Sequence, residues 1–177
     1  MEDKINFIGG GERQILERVA MGDPLEVKIL IERYLKLLFG FSISFAPFSR
    51  DQAFQITVTS FAKTLQQYQK ILKNEEWLVG LFREGLAECM RTSPTGGGEP
   101  LQKEPLKIIR EALFRLSSHD KAILLLRDQC HFSFESIAEI LGVDIHQSRS
   151  ACLVAREHLR AAVKEILDKA SGADHVV

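Results

Sequence analysis

In the stretch "FSFESIAEILGVDIHQSRSACLVAREHLR", Phe132 to Arg160, two amphipathic segments flank a glycine. Ile137, Ile140 and Leu141 supply an apolar face before Gly142, and Cys152, Ala155, Leu159 and Val163 continue one after it. Glycine takes the left-handed conformation that a tight helix-to-helix turn requires. Ala138, four positions before Gly142, is small enough for a second helix to cross there. Ser133 and Asp144 are suited to cap the two helices. The expected unit is a helix-turn-helix, with Ser148 standing where an aliphatic residue should face the first helix. By elimination His146, Gln147, Arg149 and Ser150 form the outer, N-terminal edge of the second helix, where a recognition helix carries base-reading side chains. Arg149 suits guanine, Gln147 suits adenine, and Ser150 with the helix N-terminus suits a phosphate. The spacing alone fits an αα-hairpin with solvated polar residues equally well.

Outward from this corner, the whole chain reads as all-α. "RTSPTGGGEPLQKEP", Arg91 to Pro105, holds three prolines and three glycines without apolar periodicity, the composition of a flexible linker. It divides the chain into two small helical domains, residues 1–91 and 106–177, with a linker at 92–105. Units of this size bury a modest fraction of their surface, so docking to each other or to a larger partner would help both. In the first, Asp23, Pro24 and Glu26 resemble a capping box, and Leu30, Ile31, Tyr34, Leu37 and Leu38 form one stripe. Ser49 with Gln52 opens a helix whose shared face is Phe54, Phe61, Leu65, Tyr68 and Leu72. Its "ITVTS" run is β-branched and leaves a strand as the alternative. Asn74 caps a helix with Leu78, Leu81, Phe82 and Cys89 at helical spacing. In the second unit, "PLKIIREALFRL" is amphipathic, and Ser117 with Asp120 starts another helix.

Composition narrows the function. The chain has 177 residues, 45% of them hydrophobic, which is enough to bury a core. Residues 1–104 carry 13 basic and 14 acidic side chains and residues 105–177 carry 10 of each, so neither part has the basic footprint of an autonomous, sequence-independent DNA binder. Cys89, Cys130 and Cys152 form no CxxC pair, which argues against a disulfide framework or zinc site and for buried thiols in a reducing compartment. "MEDKIN" has no secretory pattern, and no run reaches the ~20 apolar residues of a membrane span. A cytoplasmic protein without membrane insertion, metal or cofactor is expected. Catalysis is not: a separation of six positions sets the Cys152 and His158 side chains apart around a helix, Glu135 and Glu139 make an ordinary solvated face, and "TGGGEP" lies in the linker.

The segment "EALFRLSSHDKAILLLRDQCHFSFESIAEILGVDIHQSRSACLVAREHLRAAV" resembles region four of the sigma-70 family of bacterial transcription initiation factors, most closely the extracytoplasmic-function class, which has only regions two and four. The resemblance rests on Leu126-Arg127-Asp128, Ser136-Ile137-Ala138, Leu141-Gly142, Ala155-Arg156 and Leu159-Arg160. "GDPLEVKILIERYLKLLFGFSI" and "WLVGLFREGLAECMR", the latter at Trp77, Leu78, Arg83, Glu88 and Arg91, are similar to helices of region two. The likeness covers roughly residues 12–91 and 106–165. It implies RNA polymerase core and promoter DNA as partners, and an anti-sigma factor of the kind this class often has. It places Gln52, Gln55, Thr59 and Lys63 on the polymerase side. It also places Trp77 (with Tyr68), Arg83 and Arg91 on single-stranded promoter DNA, and Arg156 beside His146, Gln147, Arg149 and Ser150 on the distal element.

The chain departs from the family pattern at specific positions. Phe54, Gln55 and Thr59 stand where the family has acids facing the polymerase, Ala151 and Val154 where it has bases facing DNA, and Ser148 at its aliphatic core position. Two functions therefore stand side by side. One is a sigma factor directing polymerase to promoters. The other is a sigma-like interaction module without promoter reading, acting as an anti-sigma decoy or polymerase accessory.

Overall fold

A computed structural model of the chain describes residues 10–67, 74–95 and 104–173. The described residues form α1 (Gly10–Ala20), α2 (Pro24–Phe45), α3 (Arg50–Gln67), α4 (Asn74–Arg91), α5 (Glu104–Arg115), α6 (Ser118–Leu124), α7 (Phe134–Leu141) and α8 (Ile145–Ala173). A π-helical turn, Leu125–Gln129, extends α6. No strand occurs among the described residues, and the all-α expectation holds. Tyr68, Leu72 and linker residues 96–103 lie outside the described residues.

The helix starts follow their sequence signals with two substitutions of partner. Ser49 and Gln52 close a reciprocal capping box: each backbone N–H donates to the other's side-chain oxygen at 3.2 Å. Asp144 and Gln147 do the same at the start of α8, at 2.8 and 3.1 Å. Asp23 caps α2 by accepting from Leu25 N, but Glu26 does not turn back to it; the Glu26 carboxylate is buried and accepts from Arg18 of α1 at 2.8 Å. Asp120 likewise leaves the second half of its box empty and meets His158 Nδ1 of α8 at 2.9 Å. In both cases a tertiary side-chain partner takes the carboxylate in place of one orphan backbone N–H.

The "ITVTS" run is helical, and its buried hydroxyls find acceptors within the helix. Thr57, Ser60 and Thr64 are buried, and each donates to the carbonyl four residues earlier, at 2.6–2.8 Å. That bonding lets a small polar face enter the core without an unsatisfied group. It also shifts the inner face of α3 to Ala53, Ile56, Thr57, Ser60, Phe61 and Thr64. Phe54, expected on that face, instead points to solvent with Val58 one turn on. The small face permits close approach: an added Cβ at Gly80 or Gly85 of α4 would lie 3.8 Å from Thr64 Cγ2 or Ser60 Oγ of α3.

Helices α1–α4 make one bundle and α5–α8 a second, and the two pack on each other through α2 and α4 against α6, the π turn and α7. A single hydrophobic core runs across the seam. Phe82 of α4, fully buried, holds Phe41 edge-on at 5.4 Å on one side and Phe132 at 4.8 Å on the other. Around it Lys121 sets its ammonium 5.3 Å from the Phe45 ring, and burial lowers its pKa from the ordinary lysine value. Arg83 donates to the Glu139 carbonyl of α7 at 3.0 Å.

Gly142 ends α7 in the left-handed conformation (φ 69°) with open space around it. Gly142→Ala therefore costs backbone strain alone, about 1–2 kcal/mol, whereas Phe82→Ala removes the hub of the seam and costs about 3–5 kcal/mol. Urea unfolding of the full chain should show both losses, with helices of both bundles melting in one transition. A biphasic transition in the unaltered chain would contradict the shared core.

Candidate nucleic-acid interface

The corner between α7 and α8 is built around Ser148. This residue is fully buried, in the place where an aliphatic residue was expected. Its Oγ donates to Ile145 O at 2.9 Å and reaches Phe134 O, in the first turn of α7, at 3.2 Å. A hydroxyl is tolerated there because the start of α7 offers a carbonyl that an aliphatic side chain would leave to other donors. With Ser148, Cys152 and Ala155 inward, His146, Gln147, Arg149 and Ser150 are all exposed along the opposite edge. The sequence-derived edge is therefore brought together as one surface.

Each member of that edge has intramolecular bonds that define what it has left to offer. Gln147 accepts through Oε1 from Asp144 N, so its side-chain amide nitrogen is the group turned to a partner. Ser150 donates to the His146 carbonyl at 2.9 Å. The Asp144 carboxylate occupies the N-terminal turn of α8, and its charge opposes a phosphate at that end. Arg149 sets its guanidinium 5.7 Å from the Phe134 ring and 3.8 Å from Glu135 Oε1. The next turn of the edge is apolar: Leu153 and Val154 are 64% and 49% exposed.

Arg156 does not join this edge. Its guanidinium bonds Asp128 of the π turn at 2.6 Å, and that hydrogen bond raises its already high pKa. It fastens α8 to the π turn that extends α6. The π turn gives the reason: one extra residue in the turn carries Arg127 and Asp128 toward the corner, a change of period that no apolar pattern announces. Arg127 donates to Phe132 O at 2.8 Å and lies 4.6 Å from the Phe134 ring. Phe134 and Glu135 thus contact the candidate base reader, with Arg127 on the same Phe134 ring, and sequence periodicity gave no sign of this.

On the first bundle the structure corrects one assignment outright. Trp77 is 1% exposed and packs 6.5 Å from Phe61, so its ring belongs to the core and has no face for a base. Arg83 is half exposed but engages Glu139 across the seam. Arg91 bonds its own helix at Ala87 O and pairs with Glu88 at 3.0 Å. Glu88 also pairs with Lys63, which locks α3 to α4. Gln52, Gln55 and Thr59 do share a surface: with Asp51, Ile56, Glu88 and Thr92 they line a cavity of about 260 Å³ between α3 and α4. Gln52 closes one end by donating to Ser93 O at 3.0 Å and accepting from Thr95.

Among the described residues, no group of three or more His, Cys, Asp or Glu side chains is placed to hold a metal ion, and no helix is long and apolar enough to cross a membrane. The three cysteines are free and buried. Desolvation pushes Cys89, despite a hydrogen bond with Ser42, and Cys130 up to about 12 from 9.0, and raises Cys152 as well. These groups ionise in the unfolded chain first, so stability is full below about pH 9 and falls as pH rises from there toward 12. A disulfide reagent such as Ellman's at pH 8 should label none of the three thiols in folded protein and all three in urea. Rapid labelling of the folded chain would contradict their burial.

No protein-family profile and no curated protein matches the chain. Solved structures do match its fold. CnrH, solved in complex with the cytosolic domain of CnrY, superposes with a TM-score of 0.76 at 17% identity, over 87% of this chain and 97% of that one. The sigma factor RpoE, solved with the anti-sigma factor NepR from Bartonella quintana, superposes with a TM-score of 0.63 at 21% identity, over 77% and 96%.

Proposed function

We propose that the chain is a sigma-type transcription initiation factor of the extracytoplasmic-function class, which directs RNA polymerase core to promoter DNA in the bacterial cytoplasm. The observation that carries this reading is the α7–α8 corner. Ser148 and Gly142 turn a polar edge outward from an all-helical body that shares its fold with a sigma factor. In this reading Gln147, Arg149 and Ser150 meet the distal promoter element in the major groove, with His146 beside them. The Gln52–Gln55–Thr59 cavity and Lys63 face the polymerase, and an anti-sigma factor is a further partner. The near-zero net charge makes binding depend on the polymerase, because few phosphates are neutralised by the chain itself.

A second reading is favoured by Leu153 and Val154. Two exposed aliphatic residues continue the edge where further phosphate-binding bases would serve DNA, and Asp144 adds a negative charge at its start. That surface suits a protein partner, and the chain would then be a sigma-like interaction module without promoter reading.

Titration of labelled promoter-region duplexes at low salt, with and without core polymerase, separates the two. Polymerase-dependent DNA binding by the full chain is expected, and Arg149→Ala should weaken it by about 1–3 kcal/mol if the arginine meets a guanine in bidentate fashion. Absence of any polymerase-dependent binding at low salt would leave the interaction module as the reading.

A further inference from the structure

Resting on the promoter-reading function, we propose that Phe134 and Glu135 are specificity-determining positioning residues: they hold Arg149 ready for its base from the first helix of the corner, without touching DNA themselves. Phe134 has contacts of its own besides Arg149. Its backbone carbonyl takes the Ser148 hydroxyl at 3.2 Å, which ties it to the residue next to Arg149 on α8. Its ring also lies 4.6 Å from the Arg127 guanidinium, and Arg127 is anchored in turn on Phe132 O at 2.8 Å. Arg149 comes within 5.7 Å of the same ring while its Nη2 stands 3.8 Å from Glu135 Oε1. An aromatic ring within cation–π reach and a carboxylate at ion-pair distance bias where the guanidinium sits.

The consequence is a division of labour. An arginine free in solvent loses side-chain freedom on binding, and that loss weakens a contact by about two- to tenfold. An arginine already paired with Glu135 and lying by the Phe134 ring meets part of that loss in the free protein. Glu135 has a second effect, since its charge repels DNA phosphates and must be offset by a correct Arg149 contact. It therefore penalises wrong sequences more than right ones. Phe134 carries no charge, so its influence falls on orientation alone.

The test uses the full chain assembled with bacterial core polymerase and a duplex library randomised across the promoter region, scored position by position. The base position whose preference is lost in Arg149→Ala defines the position that Arg149 reads. Phe134→Leu and Glu135→Gln should each reduce preference at that position by about two- to tenfold and leave the other positions unchanged. In the Arg149→Ala background both substitutions should have no further effect. Glu135→Gln should also raise binding to unselected duplex. Equal loss at every position would assign Phe134 a general folding role, and unchanged preference in the surface variant Glu135→Gln would overturn the proposal with the promoter reading intact. No enrichment by the unaltered chain would instead sink the promoter reading, and this proposal with it.

Discussion

A serine hydroxyl shared between two carbonyls decides which edge of α8 meets the solvent. Ser148 is buried against α7, bonded to Ile145 O and within reach of Phe134 O. A one-residue rotation of α8 would bury Arg149 or Gln147 and expose that hydroxyl, exchanging a satisfied group for a buried charge or amide. The left-handed turn at Gly142 supplies the change of direction, and Ser148 supplies the phase. Everything assigned to the outward edge follows from that phase.

The corner is held to the rest of the molecule by its first helix rather than its second. Phe132 enters the seam beside Phe82, and Arg83 engages the Glu139 carbonyl, so α7 is docked while the edge of α8 remains open. The resemblance assigns Arg83 to single-stranded promoter DNA; here it is engaged with α7. Docking of the bundles therefore occupies part of that guanidinium. On the other bundle, the small hydroxyl face of α3 allows close packing against α2 and α4 and leaves Phe54 and Val58 outward.

What the sequence made legible was local. Apolar spacing located the helices, the Ser49–Gln52 pair and the cap Asp144 located two of their starts, and Gly142 located the turn. The outer edge of α8 followed by elimination once its inner face was set by Cys152 and Ala155. Three things were hidden for physical reasons. Phe54 was placed inside because hydrophobicity ranks it above Thr57 and Ser60, and the ranking ignores hydroxyls that bond their own helix. Trp77 was placed on DNA by resemblance, but packing against Phe61 buries it. The group around Arg149 joins residues from the π turn, the start of α7 and α8, contacts that only the crossing of helices creates.

The central claim is that the edge fixed by Ser148 lies against DNA when the chain works. The most direct measurement places a photoreactive side chain at position 150, where Ser150 is exposed and sits mid-edge, and irradiates the chain with core polymerase and a promoter-bearing duplex. Covalent attachment to the duplex, dependent on polymerase, is the predicted result. Attachment to protein alone, with the duplex unmarked although polymerase is bound, would contradict it.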